Sequence, residues 1–557
     1  MKAQQQRAAI LCSCCGQVDL TEVEEALQSR DIFCWRHDGL CTEDGTEFIA
    51  GRMAGANLEG VLICACADED KARLWRRTAA AEDVQPIMTS VIGLRDLPPD
   101  VRRREVLMAA AYQKNMLPVS VREAVSVPQK VLVLGSSAAG LRAVIDLAEA
   151  GYDVTVADEE ELARRALSHL PPDLSGHNDV CALRDRVAES DRVCVRAPVQ
   201  VTGIEGQVGG FAATFAHADG HSSADRFGAI VLAPGCEPVQ RGEFLGVDVG
   251  AEVVPVSQFD DAMAREEGLS VLAGVRPHQV AFVVPSDATD TEVPFMSAVR
   301  AARRTRRVLN ADVYLLCNDA KVTASGMERA YRDLRDDGVT VIRFDEETLS
   351  LEEADVPHTY TDPGEMAHPL TLRFAGEDLD GAGGAGSWEL PCDRVFVADQ
   401  LRLSRMGERL ADLLELRRGA DGFLGDDNIF QLPVDTNRRG IFVVGSAGRP
   451  KTAEAGRVDA ANAVLSVQDL LGGGVMTVDH AAAIVQGEKC ALCLTCIRSC
   501  PHTAISVDED EGAAVVHREA CQGCGICAGE CPADAIQLEG YSDDSFAAAL
   551  DVLRGVQ

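Results

Sequence analysis

Positive charge is scarce in this sequence: 53 Lys and Arg face 88 Asp and Glu, a formal net charge of −35. A surface that acidic repels phosphate backbones, which argues against nucleic acid as a partner, and it disfavours docking on anionic lipid. Long apolar runs are also missing. The longest, such as Val61–Ala67 and Ile441–Gly445, fall well short of the roughly 18 residues a membrane-crossing helix needs, so no transmembrane segment is expected. The start, MKAQQQRAAILCSCCG, is basic but meets cysteine after a few apolar residues. That is unlike a signal peptide, and a cytoplasmic location is expected. Low-complexity blocks are absent, and 46% hydrophobic with 25% charged residues is the balance of folded domains. A chain of 557 residues then implies about three to five domains.

Cysteine is plentiful, at 20 residues. They are too dispersed for a small secreted disulfide scaffold, and in a reducing compartment clustered cysteines are metal ligands or redox groups first. The densest cluster lies in an internal repeat near the end, CALCLTCIRSCP (Cys490–Pro501) and CQGCGICAGECP (Cys521–Pro532). Each half reads C-x₂-C-x₂-C-x₃-C-P, the two-cluster ferredoxin run, in which the fourth cysteine of each half ligates the other half's cluster. One [4Fe–4S] cluster is therefore expected on Cys490, Cys493, Cys496 and Cys531. The other is expected on Cys521, Cys524, Cys527 and Cys500. Zinc knuckles use pairs of C-x₂-C, not two runs of four with a trailing proline. Residues 480–557 read as a two-cluster ferredoxin domain, and His502 beside Cys500 reads as a surface histidine.

The middle of the chain reads as α/β. Lys130–Gly135, Ser136–Tyr152 and Asp153–Asp158 have the lengths of strand, helix and second strand. Gly135, Ser136, Ser137, Ala138, Ala139 and Gly140 sit where a dinucleotide fingerprint would, with Ser137 in place of the middle glycine. The helix N-terminus there would face a pyrophosphate, and Asp158 would meet the adenosine ribose. Two later segments resemble those of two-dinucleotide-domain flavoproteins. Ala229–Pro238 contains Ala233, Pro234 and Gly235 in place of an A-T-G turn. Pro433–Gly448 resembles the final flavin segment, with Gly445 and with Ser446 where aspartate is usual. FAD is the expected cofactor, in a domain built from residues 128–278 and 391–474.

Residues 279–390 occupy the place of the NAD(P)-type domain. After Ala281–Pro285 the chain reads SDATDTEVPF, with no glycine to admit a pyrophosphate. Either this domain has lost its nucleotide or it binds one unconventionally; loss is the preferred reading. Cys181, Cys194, Cys236, Cys317 and Cys392 are isolated, so a thioredoxin-reductase-like C-x-x-C dithiol is not available in this domain, and they read as small buried hydrophobes. The Arg300–Arg307 stretch reads as a solvated or partner-facing helix.

Residues 1–116 read as an N-terminal α/β domain in which Ala8–Cys14 and Gly60–Cys66 are strands ending in cysteine. The whole layout resembles the FAD and iron–sulfur A subunit of heterodisulfide reductases, and the flavin subunits of quinone-interacting membrane-bound oxidoreductase complexes. The residues that carry it are Cys12-Ser-Cys14-Cys15-Gly16, Leu40-Cys41-Thr-Glu-Asp-Gly45, Cys64-Ala-Cys66, and PVDTNRRGIFVVGSAGRPK. In that last segment Lys451 matches a family lysine that lies near the flavin ring, which implies a catalytic role. There are departures. No cysteine run for an inserted ferredoxin module lies between Gly235 and Gln279, and Met296–Ala301 replaces a C-S-x-x-C-C stretch. Features that a bifurcating subunit would use are thus missing.

If both N-terminal strands end on one sheet edge, Cys12, Cys15, Cys41 and Cys66 come together for a third [4Fe–4S] cluster. Cys14 or Cys64 could substitute, and zinc or unliganded thiols are the rivals. The expected fold is α/β: a two-dinucleotide-domain, thioredoxin-reductase-like flavoprotein core between an N-terminal α/β domain and a C-terminal two-cluster ferredoxin domain. The expected function is that of an oxidoreductase subunit, active in a complex, whose flavin exchanges electron pairs while the clusters relay single electrons. Its partners would be other subunits, with ferredoxin-like or quinone-linked carriers. The alternative is an NAD(P)H:ferredoxin-type oxidoreductase, such as the flavin subunit of a 2-oxoacid:ferredoxin oxidoreductase.

Overall fold

The computed structural model describes residues 6–56, 58–66, 69–82, 84, 88–116, 123–168, 175–250, 252–259, 278–286, 292–309, 311–353, 369–378, 386–425, 432–478 and 481–555. Two compact units divide the chain, one of Met1–Val125 with Val475–Gln557 and one of Ser126–Gly474. Among the described residues no helix is long and apolar enough to cross a membrane.

In the first unit, strands Gln6–Cys12, Phe33–His37, Leu58–Ala65 and Thr89–Gly93 form a parallel sheet with Gln6–Cys12 and Leu58–Ala65 at its centre. Crossover helices separate them in sequence, as a parallel sheet requires. The central strand is buried on both faces, which is why Ala8–Cys12 is an unbroken apolar run. Trp75 is fully buried on one face, and its indole N–H donates to the Leu40 carbonyl at 3.2 Å. The cysteine-rich repeat of this unit forms two antiparallel hairpin-like pairs, Ala483–Val485 with Ile536–Leu538 and Ile505–Asp508 with Ala513–Val516. Its last helix, Asp543–Leu553, lies on helix Pro99–Lys114. There Phe546 meets Tyr112 edge-on at 5.2 Å, and Ser542 donates to the Asn115 carbonyl at 2.8 Å.

The second unit holds two parallel sheets. The first has the order Ile441–Val443, Ala229–Leu232, Lys130–Leu134, Asp153–Ala157, Val193–Arg196. Its edge strand arrives some two hundred residues after its neighbour, so one α/β domain is closed around an insertion. An antiparallel meander of Val199–Glu205, Phe211–His217 and Ser222–Phe227 belongs to the same half. The inserted sheet places Val253–Pro255, Arg394–Val397, Gln279–Val284, Asp312–Cys317 and Thr340–Phe344 in parallel, followed by antiparallel strands. Strand pairing thus carries this sheet past the sequence boundaries at 278/279 and 390/391. The reason is that Val253–Pro255 and Arg394–Val397 pair with each other and the latter with Gln279–Val284.

Two expectations change here. The Arg300–Arg307 helix is not simply a free surface: Arg303 pairs with Asp333 and Asp337, Arg307 pairs with Asp337, and Arg306 donates to the Ala311 carbonyl. The pairs with Asp333 and Asp337 brace helix Glu292–Leu309 against helix Met327–Asp336 and its C-cap. Among the isolated cysteines, Cys317 and Cys392 are buried as expected, but Cys194 is exposed and Cys181 half-buried. Cys194 lies in the edge strand Val193–Arg196, whose two middle residues, Cys194 and Val195, are both exposed.

Candidate functional site

The first candidate site is a cleft of about 240 Å³ at the C-terminal end of the first parallel sheet of the second unit, where open α/β sheets bind ligands. Its walls include Ser136–Ala139, Asp158, Pro234, Gly235, Gly445, Ser446 and Lys451, so three segments singled out from sequence converge on it. Gly135, Gly140 and Ala233 stand behind the wall. Gly135 has φ +100, and a Cβ there would lie 2.4 Å from the Ala233 carbonyl oxygen, so only glycine allows this turn. A Cβ on Gly140 would lie 2.6 Å from that of Ala233, and helix Ala138–Glu149 sits against the sheet through that gap.

Ser137, at the missing-glycine position, caps this helix by accepting from the Gly140 N–H at 3.3 Å. The cap satisfies one of the helix's orphan donors and leaves the first turn facing the cleft. Asp158 Oδ2 accepts from both the N–H (2.7 Å) and the hydroxyl (2.6 Å) of Ser136. A carboxylate has about four acceptor positions, so Asp158 can hold the turn and still receive a ribose hydroxyl. Gly445, with φ +66, brings the late segment within reach: a Cβ there would meet that of Ala139 at 2.8 Å. Lys451 Nζ is tied to Asp459 Oδ2 at 2.6 Å. A helix N-terminus, close-packed turns and an acceptor at the second strand end fit a dinucleotide such as FAD.

The sequence reading missed some of this wall. Cys236 was expected to be an inert filler, yet it lines the cleft because it follows Gly235 directly. Burial pushes its thiol up to about 11, against an opposing hydrogen bond with Ser446. Arg165, Met406, Thr452 and Gly456 also line the cleft, and only the resemblance of Lys451's segment pointed near them.

The second and third candidate sites are two hollows in the cysteine-rich repeat. One is ringed by Cys490, Cys493, Cys496 and Cys531, the other by Cys500, Cys521, Cys524 and Cys527. The tetrads are the crossed sets that the spacing suggested. They are also related by local symmetry. Ala504 N–H donates to Cys500 Sγ at 3.4 Å, and Ala535 N–H donates to Cys531 Sγ at 3.3 Å. Such bonds stabilise thiolate charge and tune a cluster's potential. His502, read as a surface residue, is half-buried and lines the second hollow.

The fourth candidate lies at the C-terminal edge of the N-terminal sheet. Cys12 ends one central strand and Cys66 follows the neighbouring one. Cys12 Sγ accepts from the N–H groups of Cys14 (3.4 Å) and Leu40 (3.5 Å), and Cys14 Sγ lies 3.9 Å from it. Burial pushes the Cys14 thiol up to about 12, and Cys12 and Cys66 push it the same way. Cys15 N–H donates to the Asp38 carbonyl at 2.6 Å, joining the loop of Cys12–Gly16 to the loop that ends at Cys41. Cys15 and Cys41 are exposed. Cys64 pairs in register with Leu11 and so lies on the sheet face opposite Cys12, in a core with Leu11 and Leu62.

This fold and these sites define an iron–sulfur flavoprotein of the oxidoreductase class. Residues 489–535 match the 4Fe-4S dicluster domain family. The chain is 22% identical to the A subunit of the ferredoxin:CoB-CoM heterodisulfide reductase of Methanosarcina mazei, over 89% of this chain and 74% of that protein. It is 21% identical to an iron-sulfur A subunit of the CoB--CoM heterodisulfide reductase of Methanopyrus kandleri, over 90% of this chain and 91% of that protein. A thioredoxin reductase structure from T. acidophilum superposes with a TM-score of 0.38 at 15% identity, covering 61% of this chain and 98% of that one. The chain is similar to heterodisulfide reductase A subunits across nearly its whole length.

Proposed function

We propose that this chain is the FAD- and [4Fe–4S]-bearing electron-transfer subunit of a multi-subunit oxidoreductase. The observation that carries the reading is that two crossed cysteine tetrads and a dinucleotide cleft belong to one chain. A bound flavin supplies the exchange between paired and single electrons, which clusters alone cannot provide. Ser136–Ala139 and Gly235 would hold its diphosphate, Asp158 its ribose, and Ser446 and Lys451 its flavin end. Cys490, Cys493, Cys496 and Cys531 would hold one cluster, and Cys521, Cys524, Cys527 and Cys500 the other. Cys12 and Cys66, with two among Cys14, Cys15 and Cys41, would hold a third. Other subunits, and a ferredoxin-like or quinone-linked carrier, would deliver or remove electrons.

The alternative, an NAD(P)H:ferredoxin-type oxidoreductase, needs a nicotinamide site in the inserted domain. At the end of strand Gln279–Val284, the Ser286 N–H points at both oxygens of the Glu346 carboxylate, at 3.0 and 3.1 Å. Asn318 donates to the same carboxylate at 3.0 Å. A fixed anion stands where a pyrophosphate would be received, which favours the first reading. Asp287 and Asp290, whose charges would add to that repulsion, lie outside the described residues. Anaerobic purification of the native complex tests the proposal. FAD, iron and sulfide should leave together with partner subunits, whereas a lone chain without flavin would refute it.

A further inference from the structure

We propose that Arg165 binds the diphosphate of the dinucleotide in the cleft, a contact that rests on reading this cleft as an FAD site. Arg165 belongs to the short helix Arg164–Ser168 and lines the cleft beside Ser136–Ala139 and Pro234–Cys236. Its guanidinium is only half engaged. Nη2 donates to Glu160 Oε1 at 2.7 Å. Nη1 is buried and has no hydrogen-bond partner among the described residues. The Glu237 carboxylate approaches it at 3.8 Å, beyond hydrogen-bond reach, and is already bonded by Arg402 at 2.7 Å. A buried charged donor left without an acceptor is costly, and such groups are rare unless something else supplies the acceptor.

The approach to Arg165 is built, not incidental. Ala163 is fully buried with φ +64, a region that side-chain-bearing residues seldom enter. Its N–H donates to Ser136 Oγ at 2.9 Å, and that hydroxyl donates in turn to Asp158 Oδ2 at 2.6 Å. One knot of hydrogen bonds therefore joins the fingerprint turn, the second strand end and the segment that delivers Arg165. Backbone strain of this kind persists where surrounding structure over-determines it, and it clusters at ligand sites. The chemistry selects the ligand. A planar guanidinium with a spare N–H edge matches paired phosphate oxygens. The start of helix Ala138–Glu149 lines the same cleft and favours the same charge. Neither an adenine nor a flavin ring offers the negative charge that this pairing would neutralise.

The test uses the full chain freed of flavin, titrated with FAD, ADP and adenosine. Fluorescence reports FAD binding and calorimetry the other two. Arg165→Gln should weaken ADP and FAD by roughly 10- to 100-fold, as expected for loss of a charged hydrogen bond, and leave adenosine unchanged. Arg165→Lys keeps the charge without the fork and should fall between. Glu160→Gln removes the carboxylate charge that competes for the guanidinium and should leave ADP binding equal or tighter. Three results would overturn the proposal: unchanged ADP affinity in Arg165→Gln, equal losses for ADP and adenosine, or weaker ADP binding in Glu160→Gln. A wild-type chain that binds neither FAD nor ADP would instead remove the cleft reading itself, and this proposal with it.

Discussion

Lys451 and Asp459 are joined by a 2.6 Å ion pair at the wall of the cleft, and the same Asp459 oxygen accepts the Gly445 N–H at 2.9 Å. Asp459 is almost fully buried on helix Ala453–Leu471. Thr452 caps that helix by accepting from the Ala455 N–H. One carboxylate oxygen therefore fixes the left-handed turn of the late flavin-type segment and aims the lysine beside it. The same helix also lines the cleft with Ala453 and Gly456.

Removing either partner should have unequal effects. Asp459→Ala leaves a largely buried ammonium and a backbone N–H without their acceptor, and should cost about 3–5 kcal/mol. Lys451→Met leaves Asp459 bonded to Gly445 and should cost less. If Lys451 acts on the flavin, Lys451→Met should also lower the flavin potential, because a cation beside the ring favours the more negative reduced form. Urea unfolding and anaerobic dye equilibration check the two statements. Equal destabilisation with an unmoved potential would leave Lys451 a structural residue only.

Iron content separates the N-terminal cysteines from the rest. Three clusters imply about twelve iron and twelve sulfide per chain, four of each per cluster. Cys12→Ala should bring both to about eight, since Cys12 accepts two backbone N–H bonds at the sheet edge. Cys64→Ala should not change them, because that thiol faces the opposite core. Anaerobic analysis giving eight in the wild type would remove the third cluster, and EPR of the reduced variants guards against loss to air.

The tail was the most legible part of this chain. Three thiols of each hollow sit on one local run, so spacing groups them; the fourth, Cys531 or Cys500, comes from the other half and was legible only through the two-cluster ferredoxin pattern. At the N-terminal edge spacing could not choose among Cys12, Cys14, Cys15, Cys64 and Cys66, because the choice depends on which face of the pleat each occupies. Partners distant in sequence were also invisible. Arg303 and Arg307 look like surface charge until Asp337, some thirty residues later, is brought beside them. Arg165 follows another arginine in a short polar helix, and nothing in its neighbours signals a cleft. Cys236 carried a usable signal in its place directly after the Gly235 turn, but an isolated cysteine is more often packing than chemistry.

The brace between helices predicts a pH dependence. Burial by itself would raise the Asp337 carboxyl, but hydrogen bonds and charges from Arg303 and Arg307 outweigh it and hold it below its ordinary 3.8. A carboxyl depressed in the folded state adds stability above its ordinary value, and that stability is lost as pH falls through the lower folded value. Asp337→Asn should therefore cost about 1–2 kcal/mol near neutrality. The difference from wild type should shrink as pH drops below 3.8. Urea midpoints at stepped pH measure it, and a gap that is constant with pH would show that the pairing does not titrate.

A nicotinamide nucleotide needs a place for its pyrophosphate at the end of strand Gln279–Val284, usually a glycine turn whose N–H groups face the phosphates. Here the Ser286 N–H is held by both oxygens of Glu346, and Asn318 secures that carboxylate from the other side. A diphosphate would have to displace a bonded anion and approach its charge, and both steps oppose binding. NADH and NADPH should therefore bleach the flavin slowly or not at all, while a reduced ferredoxin or partner subunit should do so through the clusters. Glu346→Gln removes the charge but keeps an acceptor for Ser286, so it should leave the fold intact. If repulsion by Glu346 were the sole barrier, this variant would gain a nicotinamide response. Since no glycine follows Val284 to make room for the phosphates, it should gain none. Rapid-mixing absorbance at the flavin band reads both proteins. Full bleaching of the wild type by NADH within seconds would transfer the chain to the NAD(P)H oxidoreductase reading.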